Sequence, residues 1–511
     1  MSTGTLNNRY FHLARFTLEA QTALSISTGS PDGVFDSALV RDANGLPAIP
    51  GSSLAGVLRH LFRDATDAER ADALFGAEGR DGGHAAGQAS RIQVAWGCIL
   101  NAKGVPVEGL ALGEAQQALQ ADPILEPLLR QREAPLVRNR VRIGHRGAAA
   151  ATGKFDRAVL PAGYRFACEV SLFDARECPA DWGQLLDLLD DPRLRLGGAT
   201  RAGLGRMALV ALATGCFDLT DARGAAAFRA LGRGIGDIAG FTASDLSGPA
   251  RALPDHWKRL DLELTARDYW RIGQGDAPLP RSGPRRAQEK ESDAMPVLEP
   301  RVTWPTPTRA EITLAVPLAP GSAIKGALAH RAEFYANCRE PVDGPRWADN
   351  HPGGLDGWDQ PAASDDANDT RHHAIKALFG FSKERATRGE ATGLAGRVFI
   401  DDLSIALDQA QVGRLMHNAI DRFTGGVRER LLFGEDLLWR TPIRVSVLVN
   451  TRAAKPEQQA DLDRGLAALR LALRDLAAGH LAVGAGSGKG HGYFSGTEPI
   501  GLAELTRGET P

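Results

Sequence analysis

The chain repeats itself, and whatever fold serves one half has to serve the other. A Pro-Gly-Ser entry into a helix, "PGSSLAGVLRH" at 50–60, returns as "PGSAIKGALAH" at 320–330. "LFG" at 74–76 returns at 378–380, and "LGGATRAGLGRM" at 196–207 returns as "VGAGSGKGHGYF" at 483–494. A weaker pair, 138–166 against 417–445, shares a polar opening, a Thr-Gly and a Phe followed by an acid before a strand-like run. Features that keep one order imply a tandem duplication. Units are expected over 1–215 and 258–498, joined by a linker at 216–257 and followed by a tail at 499–511. With 511 residues, 43% of them hydrophobic, the chain can supply a core for each.

Each unit mixes strands with helices. "HLARFTLEAQTALSIS" (12–27) and "RLDLELTARDYWRIG" (259–273) alternate apolar and polar residues, which predicts half-buried strands. "SSLAGVLRHLFRDA" sets Leu54, Val57, Leu58 and Leu61 at helical spacing, with Ser52 or Ser53 placed to cap the first turn. "YRFACEVSLF" and "PIRVSVLVN" read as further strands. Antiparallel strands interleaved with helices give an α+β sandwich of the ferredoxin-like kind in each unit. The 216–257 stretch begins helically and ends in Gly, Ser and Pro, as a linker would. Two polar insertions, at about 276–310 and 339–373, set the second unit apart.

Charge and cysteine usage narrow the chemistry. Lys plus Arg is 60 against 62 for Asp plus Glu, so no overall basic excess announces a nucleic acid, and RNA contact would have to come from local patches. Five cysteines without a CxxC pair argue against a disulfide framework and a zinc ribbon. The N-terminus lacks a signal-like apolar core and no apolar run of about 18 residues occurs, so a cytoplasmic protein without a membrane partner is expected.

Three local patterns suit an anion. The two glycine loops carry Gly198, Arg201 and Arg206 in the first unit and Lys489 and His491 in the second; their amides and cations could face a phosphate, while plain tight turns are the simpler alternative. The two helix entries present free N–H groups at Ser52, Ser53 and Ser322, and Lys325 in the first turn opposes the helix dipole unless an anion is present. "RNRVRIGHR" places Arg138, Arg140 and Arg142 on one face of a strand, with Arg146 beyond, a spacing able to track a sugar-phosphate backbone.

Together, "DSALVRDANGLPAIPGSSLAGVLRHLFR", "RNRVRI…AAAATGKFDRAVLPAGYRF" and "LGGATRAGLGRM" resemble the RAMP superfamily of CRISPR-associated proteins, and among them the backbone subunits of type III effector complexes. The second unit resembles them through "PLAPGSAIKGALAHR", "HNAIDRFTGG" and "VGAGSGKGHGYF". The resemblance implies RNA-recognition-like cores, a guide CRISPR RNA and complementary target RNA as partners, further effector subunits, and thumb hairpins at 144–160 and 422–437 that wedge into the guide-target duplex. It carries Arg59 into the candidate RNA contacts. It also implies that Asp36 supports metal-dependent target cleavage, with Mg2+ or another divalent ion held at Asp36, a carboxylate in a Gly, Ser and Pro loop where Asp32 is a rival. Asp293 is the candidate counterpart in the second unit, with Asp276 as its rival.

Alternatives remain open. One is a structural guide-binding subunit without chemistry; another is a metal-free guide-processing ribonuclease using His145 or His491. Zinc at His330, Cys338, His351, His372 and His373 has no compact ligand spacing behind it.

Overall fold

The computed structural model describes residues 8–28, 38–77, 87–131, 135–143, 149–248, 251–273, 275–280, 292–338, 372–382, 393–408, 411–428 and 431–505. The chain forms two compact units. Unit 1 comprises Met1–Thr200, Leu204–Pro254 and Pro300–Leu314; unit 2 comprises Arg201–Gly203, Asp255–Glu299 and Ala315–Pro511.

Unit 1 is built on β1 (Tyr10–Ala20), α1 (Gly51–Ala65), β2 (Ile92–Val94), β3 (Arg165–Asp174), α2 (Ala180–Asp187) and β4 (Met207–Asp218). Its sheet runs β2-β3-β1-β4 with every neighbouring pair antiparallel. Unit 2 repeats the scheme with β5 (Trp257–Ala266), α3 (Gly321–Cys338), β6 (Val398–Ile400), β7 (Pro442–Asn450), α4 (Gln459–Ala478) and β8 (Phe494–Gly496), in the order β6-β7-β5-β8. Each is the ferredoxin-like α+β arrangement.

The cores follow from the helical spacing. Leu54, Leu58, Leu61 and Phe62 of α1 join Phe16, Leu18, Phe166 and Val170 in one buried cluster. In unit 2, Ile324 and Leu328 of α3 and Leu466, Leu469 and Leu473 of α4 join Leu260, Leu262, Leu264, Val445 and Val447. Burying side chains of this size stabilises each unit by about 1.5–3 kcal/mol apiece.

The recurring Pro-Gly has a packing cause. A Cβ at Gly51 would collide with the Val94 carbonyl, and one at Gly321 with the Ile400 carbonyl, so each helix starts pressed against the end of the edge strand. The expected serine cap is corrected. Pro50 is the N-cap and no side chain caps α1, because the helix begins at Gly51 and so places Ser52 and Ser53 inside its first turn.

Two further expectations change. The 216–257 stretch does not separate the units as a linker: β4 continues to Asp218, Ala222–Arg229 is a helix, Thr242–Ala243 pairs with β4, and the stretch up to Pro254 belongs to unit 1. The insertion at 276–310 contains a strand, Leu298–Thr306, which pairs with Arg309–Ala319. Its outer part belongs to unit 1: Val302 N–H donates to Ala162 O at 3.0 Å, Ala310 N–H to Ala102 O at 2.8 Å, and Trp304 Nε1 to Gly163 O at 2.8 Å. Among the described residues, no helix is long and apolar enough to cross a membrane.

Candidate nucleic-acid interface

In each unit a hairpin leaves the sheet just before its third strand. In unit 1, Arg140–Ile143 pairs with Ala149–Phe155. Arg140 and Arg142 share its half-buried face, whereas Val141 and Ile143 point outward and are each 46% exposed. Arg140 and Arg142, expected on one face together with Arg138, alternate with Val141 and Ile143, and the hairpin's fully open face is apolar. Arg138 is buried at the root. Arg146 and His145 lie outside the described residues.

In unit 2, Val412–His417 pairs with Phe433–Trp439, and beyond them Ile420 bridges Val427. The tip is a turn organised by Asp421, whose Oδ1 accepts from the N–H groups of Phe423 at 3.0 Å and Thr424 at 2.9 Å, holding its carboxyl below the usual range. That turn presents Phe423 at 98% exposure, flanked by exposed Ile420 and Val427. Exposed aromatic and apolar side chains on a built turn suit stacking against bases, and Arg422 and Arg428 beside them suit phosphates.

The glycine loops close back on their own units in the same way. Gly205 N–H donates to Ala23 O at 2.8 Å and Gly198 N–H to Ser25 O at 2.7 Å; in unit 2, Gly492 N–H donates to Tyr269 O and Ala485 N–H to Arg271 O, both at 3.0 Å. Gly197 and Gly484 sit at φ +80° and +98°, where a Cβ would strike those Ser25 and Arg271 carbonyls. The turn requirement therefore accounts for the glycines themselves. What remains for an anion is the cations around the loops.

Those cations divide into occupied and surface groups. Arg201 belongs to unit 2, where its Nε donates to Gly396 O at 2.6 Å and its guanidinium lies over Phe399. Lys325 Nζ donates to Arg201 O at 3.0 Å and Val398 O at 2.8 Å, so its place in the first turn needs no anion. The α3 N-terminus is satisfied by a carboxylate: Asp402 Oδ1 accepts from Gly321 N–H at 2.7 Å. Ser322 beside it is half-buried, Ser52 is exposed, and Arg59 pairs with Asp72 at 2.5 Å. Arg206 flanks its loop through N–H to Thr22 Oγ1 at 3.0 Å.

Arg157 is a group the sequence reading passed over. It extends from the hairpin root to Ser25 Oγ at 3.5 Å, and a Cβ at Gly198 would meet its Nη1. Its only sequence signal was an arginine two residues beyond the Phe of "KFDR". The corresponding part of unit 2 holds a buried acid. Glu435 accepts from Arg271 Nε at 2.6 Å, His417 Nε2 lies at 2.8 Å and Lys489 Nζ at 3.5 Å. Burial pushes the Glu435 carboxyl up, but the Arg271 hydrogen bond and charge, helped by Lys489 and His417, outweigh it and hold the group ionised. Lys489 also lies 5.0 Å over the Phe433 ring. His491 is buried, with its ring edge-on to Tyr269 at 6.0 Å.

Asp36 and Asp32 fall outside the described residues. Asp293 is described, and its Oδ2 accepts from Gly434 N–H at 2.8 Å while its own N–H donates to Gly434 O, clamping 293–294 to the hairpin strand. Asp276 is not part of that clamp. Among the described residues no three His, Cys, Asp or Glu side chains converge as metal ligands. His372 Nδ1 accepts from Ala374 N–H at 3.1 Å as a helix cap, and His351 lies outside the described residues.

Comparison with known proteins agrees with the duplication. One solved structure, "Cryo-EM structure of the Type III-B Cmr-beta bound to cognate target RNA", is similar over 41% of this chain and 63% of that one, with 15% identity and a TM-score of 0.28. This chain therefore spans less than two thirds of that protein's length. No curated protein sequence matches. The profile of the RAMP superfamily matches residues 17–208 and again 310–495, one match in each half and together well over half of the sequence. Two profile matches, two ferredoxin-like sheets and two glycine loops with the same hydrogen bonding lead to one statement: the chain belongs to the RAMP superfamily as a tandem of two such domains.

Proposed function

We propose that this chain is a backbone subunit of a type III CRISPR effector complex, binding guide CRISPR RNA beside other effector subunits and supporting cleavage of complementary target RNA at Asp36. The observation that carries the reading is the paired architecture: each unit bears a hairpin with exposed apolar residues whose root is ringed by cations. Cations that track phosphates and apolar side chains that unstack bases are what single-stranded or locally opened RNA requires.

Cleavage needs little more from the protein than placement. RNA carries its own nucleophile in the 2′-hydroxyl, and a wedge that splays the backbone lets that oxygen approach the phosphorus in line. In this reading Asp36 stands beside the scissile phosphate, and Mg2+ or another divalent ion, held at Asp36, would stabilise the charge developing there. No described cluster supplies a ready-made ligand set for that ion. The test is the fragment pattern of a complementary target RNA cut by the assembled complex. Asp36→Asn, or a chelator, is expected to abolish one cut while guide RNA stays bound. An unchanged pattern replaces this reading with a structural one.

For unit 2 the structural reading is the better supported, because the Asp293 carboxylate already serves as a backbone acceptor. Asp293→Asn is expected to leave the fragments unchanged. Burial of His491 weighs against its use as the acid or base of a metal-free guide-processing enzyme.

A further inference from the structure

The two hairpin roots solve one problem with opposite charges. In unit 1, Leu24 bridges Leu160; in unit 2, Trp270 pairs with Leu438. Arg157 and Glu435 each lie three residues before those leucines, and each reaches the side chain of the residue directly after the bridged one, Ser25 and Arg271, whose carbonyls accept from the glycine loops. Where unit 1 places a guanidinium against its glycine loop, unit 2 places a carboxylate.

A buried carboxylate is costly to keep until its partners offset the loss of hydration. Unit 1 shows that the fold does not demand one. At 2% side-chain exposure Glu435 is out of reach of any ligand, but the groups it holds are not: His417 is 20% exposed and Lys489 44%, while Arg271 is 13% exposed. These come from three separate segments: the chain after β5, the hairpin, and the glycine loop. Without a common counter-ion, the Arg271 and Lys489 cations drawn together would repel one another and spread into solvent.

We propose that Glu435 is a positioning residue for RNA: it gathers the His417 ring and the Lys489 ammonium, backed by Arg271, into a fixed set of donors at the root of the second hairpin, and that set takes an RNA phosphate. The inference rests on the RNA-binding reading above and adds to it which side chains of unit 2 make the contact and what holds them. Arg157 does the corresponding work directly in unit 1.

The test exploits a reversal of sign. Removing a negative charge near an RNA site should tighten binding if only overall charge matters. If Glu435 organises the cations, Glu435→Gln in the full-length chain weakens binding of a fluorescein-labelled single-stranded RNA by about tenfold and makes its salt dependence shallower by about 0.7, the contribution of one phosphate on a single strand. Glu435→Asp recovers part of the loss. Should Glu435→Gln fail to fold, Lys489→Met carries the test, with the same shallower slope expected. Binding by either variant that equals or exceeds the wild type, with an unchanged slope, overturns the proposal while leaving RNA binding intact. A wild-type chain that does not bind the RNA at all overturns both.

Discussion

The outer faces of the two sheets have little in common. In unit 1 that face is roofed: Arg15 ties it to the carbonyls of Asp237 and Gly232 and lies over Phe241, Phe11 packs with Phe173, Phe217 and Phe228, and Leu100, Ala167 and Ile235 form a small core with Trp304 against it. In unit 2 the same face is a field of matched charges, with Arg444 paired to Glu263 and Arg259 to Asp261. Neither face is available for stacking bases on the sheet, one because it is covered and the other because it is polar and neutralised. The duplication preserved the buried side of the sheet and let the other side diverge, so the RNA contact proposed above is left to the loops and hairpins that edge it.

Three measurements bear on that contrast. The largest effect is expected from Trp304→Ala, which removes the ring stacked under Arg165 at 4.4 Å and its hydrogen bond to Gly163 O; a loss of about 3 kcal/mol on chemical denaturation is expected. A loss below about 1 kcal/mol would mean the roof contributes little. Next is the acid response of unit 1. Burial pushes the Asp174 carboxyl up, but the Arg176 side chain and N–H, with Arg91, bring it down to about 2. A depressed carboxyl adds stability above its unfolded value near 4. That contribution fades as pH falls from about 4 toward 2. Asp174→Asn should lower stability at pH 7 by about 1–2 kcal/mol and flatten the acid limb of the stability profile; a limb as steep as that of the wild type would assign it to other groups. The smallest effect belongs to Arg444→Ala in unit 2. Both partners of its ion pair are largely exposed, at 72% and 66%, so a change within about 0.5 kcal/mol is expected in the same denaturation assay. A larger change would show that the charged face is structural after all.

The duplication was legible in the sequence for a physical reason. Gly51 and Gly321, and Gly197 and Gly484, sit where a carbonyl leaves no room for a Cβ, so the positions that recur are those that close packing permits only to glycine. The alternation of β5 was equally readable, because one of its faces meets water. β1 misled: it is buried along both faces, a consequence of segments distant in sequence, and Phe11 and Leu13 were the only local hints. The Leu298–Ala319 hairpin was hidden by its own prolines and charges, which read as an insertion. Asp402 as the cap of α3, and Arg157 and Glu435 as opposed partners of the glycine loops, depend on contacts between residues far apart in the chain and leave no periodic trace.

The roof of unit 1 also bears on how the protein is made. Residues up to Pro254 contain the whole of its sheet, yet the piece bearing Val302, Trp304 and Ala310 comes from Pro300–Leu314. A ribosome adding about 5–20 residues per second delivers that piece several seconds after the sheet has emerged. Throughout that interval the nascent first domain carries an uncovered apolar seam around Ala162, Gly163 and Ala167, and its final closure is timed by the synthesis of the second.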